Sequence, residues 1–284
     1  MGQYLSHDFF TDVKTSLNNG KDQGSQNSQG SESSQGSQNP LNPARPPISG
    51  KEALSALRSA EYIDHYRKKI DESSVNLSAR RNQEYMPVVY SVARPIESNI
   101  SWPNGQVLWM DSSADGGLPH TRPPHYICLP INIPDSALSK TLVHERIHLS
   151  QRKYPEKWQT LFKIAWNMTP WYGTIPGRLR HLQRINPDLI NIPLYAWKNE
   201  WVVFSVFTSS NPKALSEVKL VWWHIPSSTV HYDPPPGWVE FFGDNPHGEH
   251  PYEISAYLLS ESTAPDNMIP ALSAINVNIS SVYE

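Results

Sequence analysis

Residues 144–148 read His-Glu-Arg-Ile-His, and they lie in a run from Asp135 to Lys153 that contains neither proline nor glycine. Pro134 precedes the run and Pro155 follows shortly after it, so prolines bound it on both sides. Apolar residues recur along one flank of the run. The sequence therefore predicts a helix of about five turns with the five-residue pattern near its middle.

Helical geometry gives this pattern a chemical meaning. Residues four apart lie on the same face of a helix, so His144 and His148 can aim their ring nitrogens at one point. A point about 2 Å from both nitrogens suits Zn²⁺. Glu145 borders that point and can take a proton from a metal-bound water. The alternative is that these three residues form an ordinary polar helix surface.

At this motif the chain resembles the zincin metallopeptidases. The resemblance covers about residues 88–154 and one later segment, is specific at the motif, and points to no single named family. It implies an α+β, zincin-like fold in which a small twisted sheet packs on the active-site helix. It also implies that the strand before the helix, here residues 126–131, forms the edge that binds substrate.

A catalytic zinc usually has three protein ligands and one open position. The sequence after His148 lacks the glycine and histidine of the extended metzincin pattern. Residues 250–257 read His-Pro-Tyr-Glu-Ile-Ser-Ala-Tyr, which resembles the Pro-x-Glu-x-x-Ala segment of several zincin-like families and nominates Glu253, as in gluzincins. Position 257 is Tyr where thermolysin-like gluzincins have Asp. The alternative third ligands are His250, His181, His231 and His247.

Residues that would support the zinc ligands or the transition state are less distinct in the sequence. A zinc-bound histidine normally donates its other N–H group to a carboxylate or carbonyl. Carboxylates near the third-ligand segment are the candidates for that partner: Glu249, Asp244 and Glu261. A tyrosine or histidine near the same segment could stabilise an oxyanion: Tyr252, Tyr257, His231 and Tyr232. Packing in the core is the alternative role for each aromatic residue.

The N-terminus carries a second motif. Met1-Gly2-Gln3-Tyr4-Leu5-Ser6 matches the N-myristoylation pattern, with the lipid on Gly2. One myristate gives only marginal, reversible membrane binding, and no cysteine lies nearby for a second lipid. The motif predicts a cytoplasmic protein held peripherally on a membrane surface, in a eukaryote or a virus of one.

The following segment predicts a tether. Residues 17–50 are rich in Gln, Gly, Ser and Pro and contain three similar six-residue units starting at Gln23, Gln29 and Gln35. Such a segment cannot bury enough apolar surface to offset chain entropy, so we expect it to be disordered. The chain thus divides into a lipidation segment (1–16), a tether (17–50) and a zincin-like metallopeptidase domain (51–284).

Composition excludes several classes of protein. The 284 residues carry a formal net charge of −3 and no basic stripe, so nucleic-acid binding is not expected. Cys128 is the only cysteine, which rules out an internal disulfide and favours a buried apolar position on a strand. We expect neither a signal peptide nor a membrane span, because no apolar run is long enough.

Periodicity predicts the remaining elements of the domain. Helices are expected over residues 51–71, 157–167 and 178–185. Strands are expected over 86–93, 106–110 and 271–284, with a loop at 111–124 that contains His120. Aromatic-rich strands over 197–207 and 218–225 are expected to form an inserted hairpin, and residues 234–237 a turn.

Two classes of function fit these patterns. The first is a zinc-dependent hydrolase of peptide or protein substrates, tethered to a membrane, in which Glu145 activates the water. The second is a catalytically inactive scaffold with a zincin fold, whose structural zinc would need a fourth ligand such as His250 or His231. A metal-independent interaction protein is the third and least favoured interpretation.

Overall fold

The computed structural model describes residues 50–72, 105–111, 117–213, 215–243 and 248–260, and it is of the mixed α+β class that the sequence predicts. Several predictions lie outside these ranges: Gly2 and its lipid, the tether, the strands at 86–93 and 271–284, Asp244, His247 and Glu261. Within the ranges, no helix is long and apolar enough to cross a membrane.

The described residues form seven α-helices, eight strands and two 3₁₀ turns. The helices are α1 (Gly50–Asp64), α2 (Tyr66–Glu72), α3 (Asp135–Lys153), α4 (Pro155–Trp166), α5 (Gly177–Arg180), α6 (Trp238–Phe242) and α7 (Pro251–Ser260). The strands are β1 (Gln106–Met110), β2 (His120–Arg122), β3 (Tyr126–Pro130), β4 (Met168–Trp171), β5 (Leu194–Trp197), β6 (Trp201–Phe207), β7 (Val218–His224) and β8 (Thr229–His231). Two 3₁₀ turns occupy Pro187–Leu189 and Leu215–Glu217.

The predicted helix around the motif is confirmed with the expected bounds, as α3. The predicted helix at 157–167 is α4, which begins two residues earlier because Pro155 fits a first helical turn. The helix expected over 51–71 is interrupted at His65, whose φ of 54° separates α1 from α2. The helix expected over 178–185 is confined to α5, and residues beyond it turn toward β6 through a hydrogen bond from Arg184 N to Ser205 O.

A three-stranded sheet lies beside α3, with strand order β1-β3-β2. β1 runs parallel to β3, and β2 runs antiparallel to it. The expectation that the strand before α3 forms a sheet edge is wrong, because β3 is paired on both sides. α1 covers this sheet through Leu57, which packs near Leu108 and Cys128, and Cys128 is buried as predicted.

His120 was expected in a polar loop, and that prediction is wrong: it begins β2, whose three residues are all buried. Burial of this polar strand is compensated by specific partners. Arg122 forms ion pairs with Asp64, at 2.6 Å, and with Glu61, at 3.0 Å. Partner charges and hydrogen bonds of this kind are required when charged groups leave water.

The aromatic-rich hairpin is confirmed as β6 and β7, paired from Trp201 with His224 to Phe207 with Val218. It is the centre of a larger antiparallel sheet with order β4-β5-β6-β7-β8. β6 begins at Trp201 rather than at 197, because Lys198 and Asn199 have φ of 53° and 57° and form the turn from β5. The other three strands of this sheet, β4, β5 and β8, have three or four residues each and are too short to show a periodicity in sequence.

The helices α4 and α7 pack on one face of this sheet. Tyr252 and Ile254 of α7 are 1% and 0% exposed, and they join an apolar cluster with Phe162 and Tyr195. The opposite side of α7 meets α3. Ser255 and Ala256 are both fully buried, so small side chains stand where the two helices approach. The five-stranded sheet thereby fixes α7 against the motif helix.

Candidate metal centre

His144, His148 and Glu253 come together between α3 and α7. The Nε2 atoms of the two histidines are 3.1 Å apart. The Oε2 atom of Glu253 lies 3.5 Å from Nε2 of His144 and 3.6 Å from Nε2 of His148. Four ligands at 2.0–2.1 Å from a tetrahedral zinc stand about 3.3–3.4 Å from one another. The three atoms thus match one face of such a tetrahedron.

Each of these side chains is aimed by its own helix. Helical spacing on α3 brings the two histidine rings to an edge-on contact with centroids 4.8 Å apart. Glu253 projects from the first turn of α7, and Pro251 begins that helix. Its neighbours Tyr252 and Ile254 are anchored in the apolar core. The direction of Glu253 is therefore fixed by core packing on either side of it.

The side-chain amide of Asn186 holds the Glu253 carboxylate through a hydrogen bond. Asn186 Nδ2 donates to Glu253 Oε1 at 2.8 Å and to Glu249 Oε1 at 2.7 Å. Glu249 in turn accepts from Arg184 Nη1 at 3.1 Å and from the hydroxyl of Ser205. With Oε1 held in this way, Oε2 is the oxygen that faces the histidines.

The side-chain amide of Gln151 holds the imidazole ring of His148 through a hydrogen bond. Its Nδ1 lies 2.8 Å from Oε1 of Gln151, and both side chains are buried. Gln151 was not among the candidates from sequence. A glutamine three residues after His148 lies on the same helix face, so helical spacing could have found it. No comparable local signal marks Asn186, which comes from the chain between α5 and the first 3₁₀ turn.

Glu145 lines the cleft next to these groups and is 3% exposed. Its Oε2 atom is buried and has no hydrogen-bond partner among the residues that the structure describes. Burial, and then the negative charge of Asp188, raises the pKa of Glu145 well above its usual range.

The site concentrates negative charge. Burial lowers the pKa of His148, but the charges of Asp188, Glu253 and Glu145 outweigh it and raise that pKa to about 10. Burial raises the pKa of Glu253, but the positive charge and hydrogen bonds of the two histidines outweigh it and hold that pKa well below its ordinary value. Without a metal, a proton on His148 supplies the compensating positive charge.

An open cleft of about 300 Å³ borders the site, and its lining includes His144, Glu145 and Glu253. Its lining also includes Leu118, His120, Lys140 and Tyr257. Asp188 also lines it and binds Thr121 of β2, accepting from the backbone N–H at 2.7 Å and from Oγ1 at 2.5 Å. The outward N–H group of β2 at Thr121 is therefore already occupied by a side chain.

Of the alternative third ligands from sequence, the three that the structure describes, His250, His231 and His181, do not join the group. Both ring nitrogens of buried His250 are engaged, Nε2 with Pro193 O at 3.0 Å and Nδ1 with Tyr252 N at 3.2 Å. Burial also lowers its pKa to about 4. His231 lies on β8 against Trp201, and His181 follows α5. Among the described residues, His144, His148 and Glu253 are the one group of three side chains spaced to hold a metal.

The residues predicted to support the zinc ligands or an oxyanion differ in where the structure places them. Glu249 reaches Glu253 through Asn186 rather than binding a histidine, so its expected role as a histidine partner is wrong. Tyr252 is buried in the core and Tyr232 is 75% exposed, whereas Tyr257 lines the cleft.

Comparison with protein-family models, with curated proteins and with solved structures gave no match to this chain.

Proposed function

We propose that this protein is a zinc-dependent peptide-bond hydrolase with a zincin-like domain. His144, His148 and Glu253 would hold the zinc, and Glu145 would act as the general base. The observation that carries the proposal is the triangle of ligand atoms with edges of 3.1, 3.5 and 3.6 Å. Spacings of this size fit donor atoms arranged around one tetrahedral metal ion.

The donor set and its number favour a catalytic site over a structural one. Two imidazole nitrogens and one carboxylate oxygen are ligands that zinc prefers, and three protein ligands leave its fourth position open. A closed structural site would need a fourth side chain. Within the described ranges, His250 is occupied elsewhere and His231 lies on another sheet edge. The open cleft, which His144 and Glu253 line, would give substrate access to the remaining position.

The chain's own residues account for proton movement. When bound, zinc would polarise a substrate carbonyl and lower the pKa of a coordinated water toward neutrality. Glu145 would accept the proton that the water loses as it attacks the carbonyl carbon. The same carboxyl would then give that proton to the leaving amine as the C–N bond breaks. Burial, and then the charge of Asp188, raises the pKa of Glu145, which makes this carboxyl a stronger proton acceptor than an ordinary glutamate.

Membrane attachment is a separate part of the proposal. A myristate on Gly2 would tether the catalytic domain reversibly to a membrane surface. The support is the sequence motif alone. In eukaryotic cells fed a clickable myristate analogue, we expect the wild-type chain to be labelled and a Gly2→Ala variant not to be. Equal labelling of the two would overturn the lipid assignment and leave the hydrolase proposal intact.

The first test is metal content, followed by cleavage of a peptide library read by mass spectrometry. We expect about one zinc per chain in the wild type and none in a His144→Ala/His148→Ala variant, with exposed His181→Ala as the matched control. Glu145→Gln should keep the zinc and lose at least about 100-fold in turnover.

Each outcome has a distinct meaning. A folded wild type without zinc would overturn the metal centre. Zinc that is retained in the double variant would overturn the ligand assignment. Zinc bound stoichiometrically with no cleavage of any library peptide would favour the inactive scaffold instead. Full turnover in Glu145→Gln would leave the metal and reject the general base.

A further inference from the structure

We propose that Gln151 is a positioning residue that fixes the tautomer and ring orientation of His148, and thereby presents Nε2 of that histidine to the metal. The inference rests on the proposed function, because it assigns a role toward the zinc. Gln151 contributes no atom to the triangle. Its effect is exerted through the opposite edge of the imidazole ring.

Gln151 is fully buried, and both ends of its amide are engaged. Its Oε1 lies 2.8 Å from Nδ1 of His148. Its Nε2 donates to the backbone carbonyl of Tyr252 at 3.0 Å and to Oγ of Ser255 at 2.9 Å. These contacts join α3, which carries the histidines, to α7, which carries Glu253.

The contacts on α7 decide which way the amide faces. The Tyr252 carbonyl can only accept, so an N–H group must point at it. The hydroxyl of Ser255 has Pro251 O at 2.8 Å and Tyr252 O at 3.0 Å as acceptors for its single proton, so toward Gln151 it acts as an acceptor. A flipped amide would set its oxygen against the Tyr252 carbonyl, which cannot donate. The Nε2 atom of Gln151 therefore faces α7, and its oxygen faces His148.

An amide oxygen can only accept, so Nδ1 of His148 must carry a proton. In the neutral imidazole the lone pair then lies on Nε2, the nitrogen that is 3.1 Å from His144 Nε2 and 3.6 Å from Glu253 Oε2. A ligand histidine needs this tautomer, and the hydrogen bond at its other nitrogen sets it. The Tyr252 carbonyl belongs to the residue before Glu253. One buried amide thus aligns His148 with the backbone that carries the third ligand.

The test uses the full chain and compares Gln151→Met with Gln151→Glu. Methionine has a similar length but offers no oxygen, so Nδ1 of His148 loses its acceptor. Glutamate keeps an oxygen toward Nδ1 but gives up both donations to α7. Ser255→Ala is the matched control, because it removes one contact of Gln151 on α7 and leaves the His148 contact in place.

Two readouts separate positioning from simple packing. Zinc affinity is measured by competition with a chromophoric chelator, and ring ¹⁵N chemical shifts report which nitrogen of His148 is protonated in the zinc-loaded protein. We expect a protonated Nδ1 in the wild type. Gln151→Met should bind zinc roughly 10–100-fold more weakly, whereas Gln151→Glu should remain within about tenfold of the wild type or bind more tightly, since a carboxylate is a stronger acceptor.

A wild-type His148 that is unprotonated at Nδ1 when zinc is bound would overturn the proposal, whatever the variants do. So would equal zinc affinity in wild type and Gln151→Met, or a loss in Gln151→Glu as large as that in Gln151→Met. These results would leave the zinc site standing. A wild type that binds no zinc would instead overturn the proposed function and this inference with it.

Discussion

The two sides of the candidate site are built in different ways. On one side, His144 and His148 belong to a single helix, and their separation along the chain alone brings their rings together. On the other side, Glu253 lies on α7, which follows all five strands of the larger sheet along the chain and packs against that sheet. The first side is a property of local structure. The second is a property of the complete fold.

The supporting contacts follow the same division. His148 is held by Gln151, from its own helix. Glu253 is held by Asn186, whose other carboxylate partner, Glu249, binds both Arg184 and the hydroxyl of Ser205 on β6. Errors in the docking of the larger sheet would therefore displace Glu253 while the histidine pair remains in place. Variants on the two sides should differ in how much zinc binding survives.

The largest effect is expected at Glu253. Replacement by Ala leaves two histidines on one helix as the only protein ligands, so zinc affinity should fall by more than the roughly 100-fold that is the upper range for loss of a supporting contact. Chelator competition measures it, with exposed Glu240→Ala as the charge-matched control. An affinity equal to that of the wild type would show that a side chain other than Glu253 completes the site.

A smaller effect is expected at Asn186. Asn186→Ala removes the donor that holds Oε1 of Glu253, so the carboxylate gains rotational freedom, and zinc affinity should fall by about 10–100-fold. The exposed variant Asn211→Ala is the control. If the metal-free protein were destabilised while its zinc affinity stayed unchanged, the amide would be a packing residue only.

The same division explains what the sequence could predict. The helix from Asp135 to Lys153 and the positions of His144, Glu145 and His148 follow from rules that act over one or two turns. Glu253 was reached through resemblance of a short segment, because no local rule links it to α3. Gln151 obeys helical spacing and is predictable from it, because an amide oxygen can accept from a histidine N–H group as a carboxylate does.

Other parts of the fold depend on partners that are distant in sequence. The sequence of β2 resembles a polar loop because His120 and Arg122 are polar. The strand can be buried because Asp64 forms an ion pair with Arg122 and Asp188 accepts a hydrogen bond from Thr121 N, and both partners are distant in sequence. The strands β4, β5 and β8 have three or four residues each. Strands that short acquire their conformation from pairing with a neighbour, β5 with β6, β8 with β7 and β4 with β5, and not from an alternation in their own sequence.

Zinc binding should release a proton from the histidine side of the site and none from the Glu253 side. In the metal-free protein the pKa of His148 is raised to about 10, so this ring is protonated at pH 8, while the pKa of Glu253 is held well below its usual value and its carboxylate is already ionised. Zinc needs the lone pair on His148, so binding at pH 8 should release at least about one proton from the histidine side. Titration calorimetry in buffers of different ionisation enthalpy counts the protons. A count of zero would mean that His148 is neutral before zinc binds.

The smallest expected effect is a shift in the pH profile at Asp188, which stands between the two sides. Its negative charge raises the pKa of Glu145, and Glu145 must be ionised to take a proton from water. Activity should therefore fall as the pH drops through that pKa. Asp188→Asn removes the charge and keeps an oxygen that can accept from Thr121 N, so the acidic limb of kcat against pH should move to lower pH. Exposed Asp233→Asn should leave the limb in place. An unmoved limb in Asp188→Asn, with turnover retained, would mean that a group other than Glu145 sets it.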